Sequence, residues 1–424
     1  MLNLRIHKSS HSKRISVSLF VWVLFICFLL LVFNPFAEDQ RVVLGNEIFV
    51  SRTLTELIDQ NLGLVVNHTS VLPDGTHLVD ALLKQNMNVT SLFSTEHGFL
   101  GNEEAGQTIE NSQYKGIDIY SLHGITRKPS VQQMKDLDVL IYDIQDVGAR
   151  FYTYITTMKY ILEAASDKGI PVYILDRPNP VGGHMIEGPL LDMKLESFTA
   201  PCPIPIRYGL TCGELALMMK GEQWIPAHTD IRVIEMKGWK RSFIWEKTGL
   251  YWIPPSPNIP KPETSLAFPG TSLLGGIGVN HGIGSPNPFL QFGSPWLDPR
   301  IVIQNIDPGA VQGITLSSHA YIPRSIPGKT AYPPYKDRLC HGIRISIEDK
   351  KSFHSLEFTL ALIKTLKSFY PDHIRIITER FDSLFGNEWL RLFIEGKLGY
   401  EQLLRLVRRD EKTFRKLRKK YLIY

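Results

Sequence analysis

Four short apolar runs in this chain each end on a cluster of polar residues, and that recurrence restricts the fold more than any other feature. Asp138-Val-Leu-Ile-Tyr-Asp143 continues as Ile-Gln-Asp146-Val-Gly-Ala-Arg150-Phe-Tyr152-Thr-Tyr154, and residues 63–66 run into Asn67-His68. Residues 89–94 run into Thr95-Glu96-His97-Gly98, and residues 171–175 into Asp176-Arg177-Pro178-Asn179. An unbroken apolar run reads as a strand buried on both faces. Helical patterns at residues 78–84, 131–135 and 155–168 lie between the runs, so strand and helix alternate as in a doubly wound α/β sheet. Such sheets bind ligands outside the carboxyl ends of their strands. Asn67, Glu96, Asp143, Asp146 and Asp176 are therefore expected to converge on one cleft.

A chain of 424 residues is long for one core, so two bodies are expected. The formal net charge is +5, yet residues 1–14 carry +4 and residues 405–420 carry +7, which leaves −6 between them. No nucleic-acid partner is expected. Arg5, Lys8, Lys13 and Arg14 precede residues 15–33, an uncharged stretch long enough to cross a bilayer with its basic flank kept inside. The Asn34-Pro-Phe-Ala37 segment offers a signal peptidase little beyond Ala37, which favours an uncleaved anchor over a removed signal. The body is then expected outside the inner membrane, periplasmic or in the cell envelope, tethered by residues 15–33. Cys27 lies in that segment, and Cys202, Cys212 and Cys340 have no metal spacing; they read as independent buried thiols rather than a disulfide framework.

The expected organisation is residues 1–40 as basic flank and anchor, 41–258 as the sheet domain, and 259–424 as a smaller α+β domain completing the cleft. The boundary follows the proline-rich stretch Tyr251-Trp-Ile-Pro-Pro-Ser256-Pro-Asn258-Ile-Pro260. In the first body a short helix is expected at 54–60, a strand at 231–236, and a helix at 213–220 with Thr211 as N-cap. In the second, residues 268–284 read as a glycine-dense loop, 342–347 and 373–377 as strands, and 356–369, 388–394 and 400–420 as helices.

No glycine-rich dinucleotide or phosphate loop follows the first strand, and no G-x-S-x-G occurs, so neither a nucleotide cofactor nor an α/β-hydrolase serine is expected. A glutamate at a strand end, with an imidazole and a glycine after it, is the residue type that donates a proton from a cleft, which makes Glu96 the first catalytic candidate. Asp143 and Asp146 are the second, as a general base or as hydrogen-bond partners of sugar hydroxyls. No histidine spacing around them favours a metal. Arg150, Arg177 and Arg207 are the residues able to grip a carboxylate with paired bonds; the alternative is internal pairing with the aspartates. Tyr152, Tyr154, Trp252 and Phe289 could stack on a sugar face or fill the core.

Phe93-Ser-Thr-Glu-His-Gly98, the Asp143 to Tyr154 stretch, Asp176-Arg-Pro-Asn-Pro180, Glu187-Gly-Pro189, Pro255-Ser-Pro-Asn258 and Phe268-Pro-Gly-Thr271 together resemble the NamZ-type exo-β-N-acetylmuramidases. The resemblance implies a Rossmann-like parallel-sheet N-terminal domain, a smaller C-terminal domain and a site in the cleft between them. It also implies removal of N-acetylmuramic acid from the non-reducing end of peptidoglycan fragments in cell-wall turnover, without a nucleotide cofactor; no other cofactor and no metal is expected. Glu96 stands at the glutamate of the family's S-P-E-H-G motif, with Asp143 or Asp146 as partner. Asn67, His97, Arg150, Tyr152, Asp176, Arg177, Asn179, Glu187, Arg207, Ser256, Asn258 and Asn280 are implied as substrate-binding. Two departures stand out. Tyr208 replaces a histidine and Ile283 an arginine of the family pattern, which motivates the rival reading of a sugar-binding protein with weakened turnover.

Overall fold

The computed structural model describes residues 41–104, 106–377 and 381–424. The expected anchor, residues 15–33, lies outside them; among the described residues no helix is long and apolar enough to cross a membrane. The first half builds β1 (Leu62–Val66), β2 (Val89–Ser94), β3 (Ser112–Tyr114), β4 (Ile117–Ser121), β5 (Val139–Asp143), β6 (Val172–Leu175) and β7 (Ile231–Ile234). They lie in the order β3-β4-β2-β1-β5-β6-β7, parallel except for the β3–β4 pair.

The apolar runs are unbroken because both faces of the central strands are covered. Leu62, Leu64, Val66, Ile141, Tyr173 and Leu175 point into one layer, where Leu78, Val79 and Leu82 of α1 (Leu78–Lys84) meet them. The alternate residues Val65, Leu140, Tyr142, Val172 and Ile174 enter the other layer, against Met158, Ile161 and Leu162 of α2 (Tyr154–Lys168) and Leu215 of α3 (Cys212–Gly221). Each such aliphatic side chain contributes about 1.5–3 kcal/mol by leaving water. The α3 helix starts where expected: Thr211 Oγ1 accepts the Glu214 amide (3.2 Å) and the Glu214 carboxylate accepts the Thr211 amide (3.0 Å).

In the second half β8 (Gln291–Ser294), β9 (Ile314–Tyr321) and β10 (Cys340–Ile347) form an antiparallel sheet ordered β8-β10-β9. It carries α4 (Pro262–Thr271), α5 (Ser355–Phe369) and α6 (Tyr400–Leu417). Phe292, Ile343, Ile345 and Phe358 belong to the same continuous core as Tyr142 and Met158, and Val42–Tyr424 pack as one compact unit. After α6 the chain returns to the first half, where Arg418 donates to the carbonyls of Tyr208 and Gly209 and the Tyr424 hydroxyl reaches Asp176. The fold is thus the expected mostly parallel α/β sheet with a smaller α+β part.

Several local expectations need correction. Residues 131–135 form turns rather than a helix, and 374–377 pair with no strand. Residues 54–57 make only a short 3₁₀ turn. The start of the glycine-dense stretch is helical: α4 begins with Pro262 in its first turn, where a missing N–H costs nothing, and continues through Pro269 into a 3₁₀ segment, Ser272–Ile277. Glycine content misled there because packing decides it. Gly270 sits so close to α5 that an added Cβ would lie 2.0 Å from the Ser355 carbonyl oxygen.

Candidate active site

A cavity of about 620 Å³ opens between the two halves, lined by Glu96, His97, Tyr152, Ser256 and Asn258 among the expected residues. Its apolar wall is a chain of edge-to-face rings: Phe151 and Phe268 lie 5.2 Å apart and Phe268 and Phe289 4.8 Å, with Tyr152 6.0 Å from Phe268. Such faces suit the C–H surface of a sugar.

Glu96 follows β2, and the turn after it is tight: His97 and Gly98 have φ of 71° and 74°. That left-handed pair folds the chain back so that the Gly106 amide donates to Glu96 Oε1 at 2.7 Å. Thr153 donates its hydroxyl to Glu96 Oε2 at 2.5 Å. Thr153 is the N-cap of α2 but gives its side chain to Glu96 rather than to the helix, so the carboxylate stands where the helix dipole favours negative charge. His123 Nε2 lies 3.7 Å from Glu96 Oε1, and burial keeps that imidazole's pKa below its usual value against the pull of Glu96. His97 Nδ1 donates to the Glu103 carbonyl at 2.7 Å.

The remaining expected residues do not line the cavity, which corrects the expectation that all of them face substrate. Asp143 is completely buried and takes paired bonds from Arg177 (Nε 2.5 Å, Nη2 3.0 Å) and one from Asn46 (3.1 Å). Asp146 accepts from the Tyr208 hydroxyl and the Gly148 amide, and burial pushes its pKa up to about 6. Asn67 accepts from the Thr69 amide and hydroxyl. Asn179 donates to the Leu210 carbonyl, and Asn280 to those of Ile283 and Pro334.

None of the three arginines lines the cavity either. Arg150 spends its guanidinium on the carbonyls of Pro189, Ile204 and Leu384, and burial without a carboxylate partner lowers its pKa to about 9. Arg207 donates to the Val181 carbonyl and faces Glu187 at 3.8 Å, while Glu187 also takes His354 at 2.9 Å and, from the start of α5, the Ser355 hydroxyl and the Leu356 amide. Internal pairing with an aspartate, the alternative reading, holds for Arg177 with Asp143; Arg207 faces a glutamate instead and Arg150 meets only carbonyls. A buried guanidinium is costly to desolvate, and the fold offsets only part of that cost here, since Arg150 Nε and Arg207 Nε and Nη1 have no hydrogen-bond partner among the described residues.

Asp176 accepts from the Gly213 amide (2.9 Å) and the Tyr424 hydroxyl (2.9 Å), and burial raises its pKa to about 7. A carboxyl raised above its unfolded value contributes stability that is complete below that value and is lost as pH rises through the folded pKa. Asp176→Asn is therefore expected to flatten the fall in unfolding free energy between about pH 5 and about pH 8 relative to the unaltered protein. Urea unfolding at the two pH values checks it, and parallel profiles would contradict it.

Residues missed by sequence reasoning include Thr153, Thr199 and Lys329, all lining the cavity. Thr153 sat inside a quoted motif between two tyrosines. The others belong to loops whose approach to β2 depends on tertiary packing. Among the described residues no group of three or more His, Cys, Asp and Glu side chains is placed to hold a metal ion.

Two family models cover the chain: exo-beta-N-acetylmuramidase NamZ, N-terminal, over residues 62–263, and its C-terminal counterpart over residues 266–424. The chain is 35% identical over 395 residues to the peptidoglycan beta-N-acetylmuramidase NamZ of Bacillus subtilis (strain 168), covering 92% of this chain and 93% of that protein. It also superposes on crystal structures of two DUF1343 family proteins from Bacteroides fragilis NCTC 9343. The first has a TM-score of 0.83 at 33% identity, covering 91% of this chain and 99% of that one. The second has a TM-score of 0.72 at 35% identity, covering 90% and 99%. Motif order and fold agree with these likenesses, and the chain belongs to the exo-beta-N-acetylmuramidase NamZ family.

Proposed function

We propose that this protein is a glycosidase that releases N-acetylmuramic acid from the non-reducing end of peptidoglycan fragments, with Glu96 as the proton donor to the leaving oxygen. The observation that carries the reading is the setting of Glu96: a carboxyl group lining the cavity between the halves, held by Thr153 and Gly106 at a helix N-terminus. Both donors stabilise the charge that appears on Glu96 once its proton has moved to the glycosidic oxygen, so they act more strongly in the transition state than before it. The Bacillus subtilis relative, named for this activity, supports the substrate class. A cell-wall turnover role follows from the same reading.

The test is to incubate the full-length protein with a disaccharide that carries N-acetylmuramic acid at its non-reducing end. Release of that sugar, with no attack on the disaccharide of reversed order, is the expected result. Measured affinity without release would establish the sugar-binding reading instead.

The proposed substrate and the N-terminal sequence support a body that lies outside the inner membrane. Residues 15–33, apolar and preceded by four basic residues, are the proposed tether. Fractionation of cells should find the full-length chain with the membranes and its body open to protease added from the outer side. Recovery of the intact chain from the soluble cytoplasm would overturn the placement.

A further inference from the structure

The rim of the cavity opposite the sheet is made by a turn at residues 326–330, closed by bonds between Ile326 and Thr330 in both directions (2.9 and 3.0 Å). Three ties fix that turn to the first half. The Ala331 amide donates to Glu104 Oε2 (3.0 Å), Asn258 Nδ2 donates to the Lys329 carbonyl (3.1 Å), and Gly328 passes so close to Asn102 that an added Cβ would lie 3.1 Å from its carbonyl oxygen. The backbone of Lys329 is therefore held in place before any ligand arrives.

Lys329 is half-buried, and its ammonium group has no hydrogen bond or ion pair with any described residue. Among the described residues lining the cavity it is the one lysine or arginine. His281, also on the wall, is neutral at physiological pH, because burial lowers its pKa to about 4. Ile283, Phe268 and Phe289 add apolar surface. A cation held half out of water with no internal partner is poorly compensated until an anion meets it.

We propose that Lys329 receives the lactyl carboxylate of the sugar and is the residue that distinguishes N-acetylmuramic acid from N-acetylglucosamine, which lacks that group. The proposal rests on the muramic-acid reading above. It assigns to a loop of the second half the anion-binding part that the three buried arginines of the sheet edge are not free to play. One charge-assisted contact of this kind gives a preference on the order of tenfold.

Calorimetric titration of the full-length protein with N-acetylmuramic acid and with N-acetylglucosamine tests it. The unaltered protein should prefer the acidic sugar by about tenfold. Lys329→Met should remove that preference by weakening the acidic sugar alone, and Lys329→Arg should keep most of it. In turnover, Lys329→Met should raise KM for a muramic-acid glycoside and leave kcat nearly unchanged. A preference that survives in Lys329→Met overturns the proposal, and so does equal weakening of both sugars, which would mark Lys329 as merely structural. If the unaltered protein prefers the acidic sugar through Lys329 yet releases no sugar from peptidoglycan fragments, the hydrolase reading fails and this one stands.

Discussion

Glu96→Gln is expected to lower kcat for an unactivated β-linked muramic-acid disaccharide by about 10²–10⁴-fold while leaving KM within a few-fold of its original value. Glutamine has the shape of glutamate and still presents an oxygen to the Gly106 amide, so the cavity keeps its form. What it lacks is a proton to give. The size of the loss should depend on the leaving group. A nitrophenolate needs little protonation as it departs, so a nitrophenyl glycoside should lose much less than the disaccharide. Thr153→Ala should fall between the two, since it removes one of the donors that stabilise the developing carboxylate and leaves the acid itself in place. If Glu96→Gln turned over both substrates like the unaltered protein, proton donation by this residue would be disproved. An equal loss on both substrates would mean that Glu96 acts through binding or geometry.

The strands were legible because a strand covered on both faces has to be apolar at every position. β1, β2, β5 and β6 therefore stand out, and their ends locate Asn67, Glu96, Asp143 and Asp176 at one sheet edge. Which of those side chains reach the cavity was not legible. Asp143 and Glu96 both close an apolar run, yet one is sealed under Arg177 while the other lines the cavity. The difference arises from Arg177 and Asn46, which are separated from Asp143 by 34 and 97 positions. Lys329 gave no local signal either, since its position depends on Glu104 and Asn258 holding the loop around it. The strands β3, β4 and β9 were missed for a related reason. They are short or half-exposed, and carry no uninterrupted apolar run.

Arg177→Met is expected to cost about 3–5 kcal/mol of stability, the largest single effect at the sheet edge. The Asp143 carboxylate would remain completely buried after losing both guanidinium bonds, with only Asn46 left among its side-chain partners. An uncompensated charge in that position is far more costly than the loss of the pair itself. The double variant Asp143→Asn, Arg177→Met should therefore be more stable than Arg177→Met alone, recovering about half of the loss or more. Denaturant midpoints for the three proteins measure both effects. The same variants decide what the two residues do in the reaction. Since neither lines the cavity, the fraction that remains folded should turn over substrate at close to the original kcat. A double variant that is stable but has lost turnover as fully as Glu96→Gln would restore Asp143 to the chemistry, and the structural assignment of the pair would have to be abandoned.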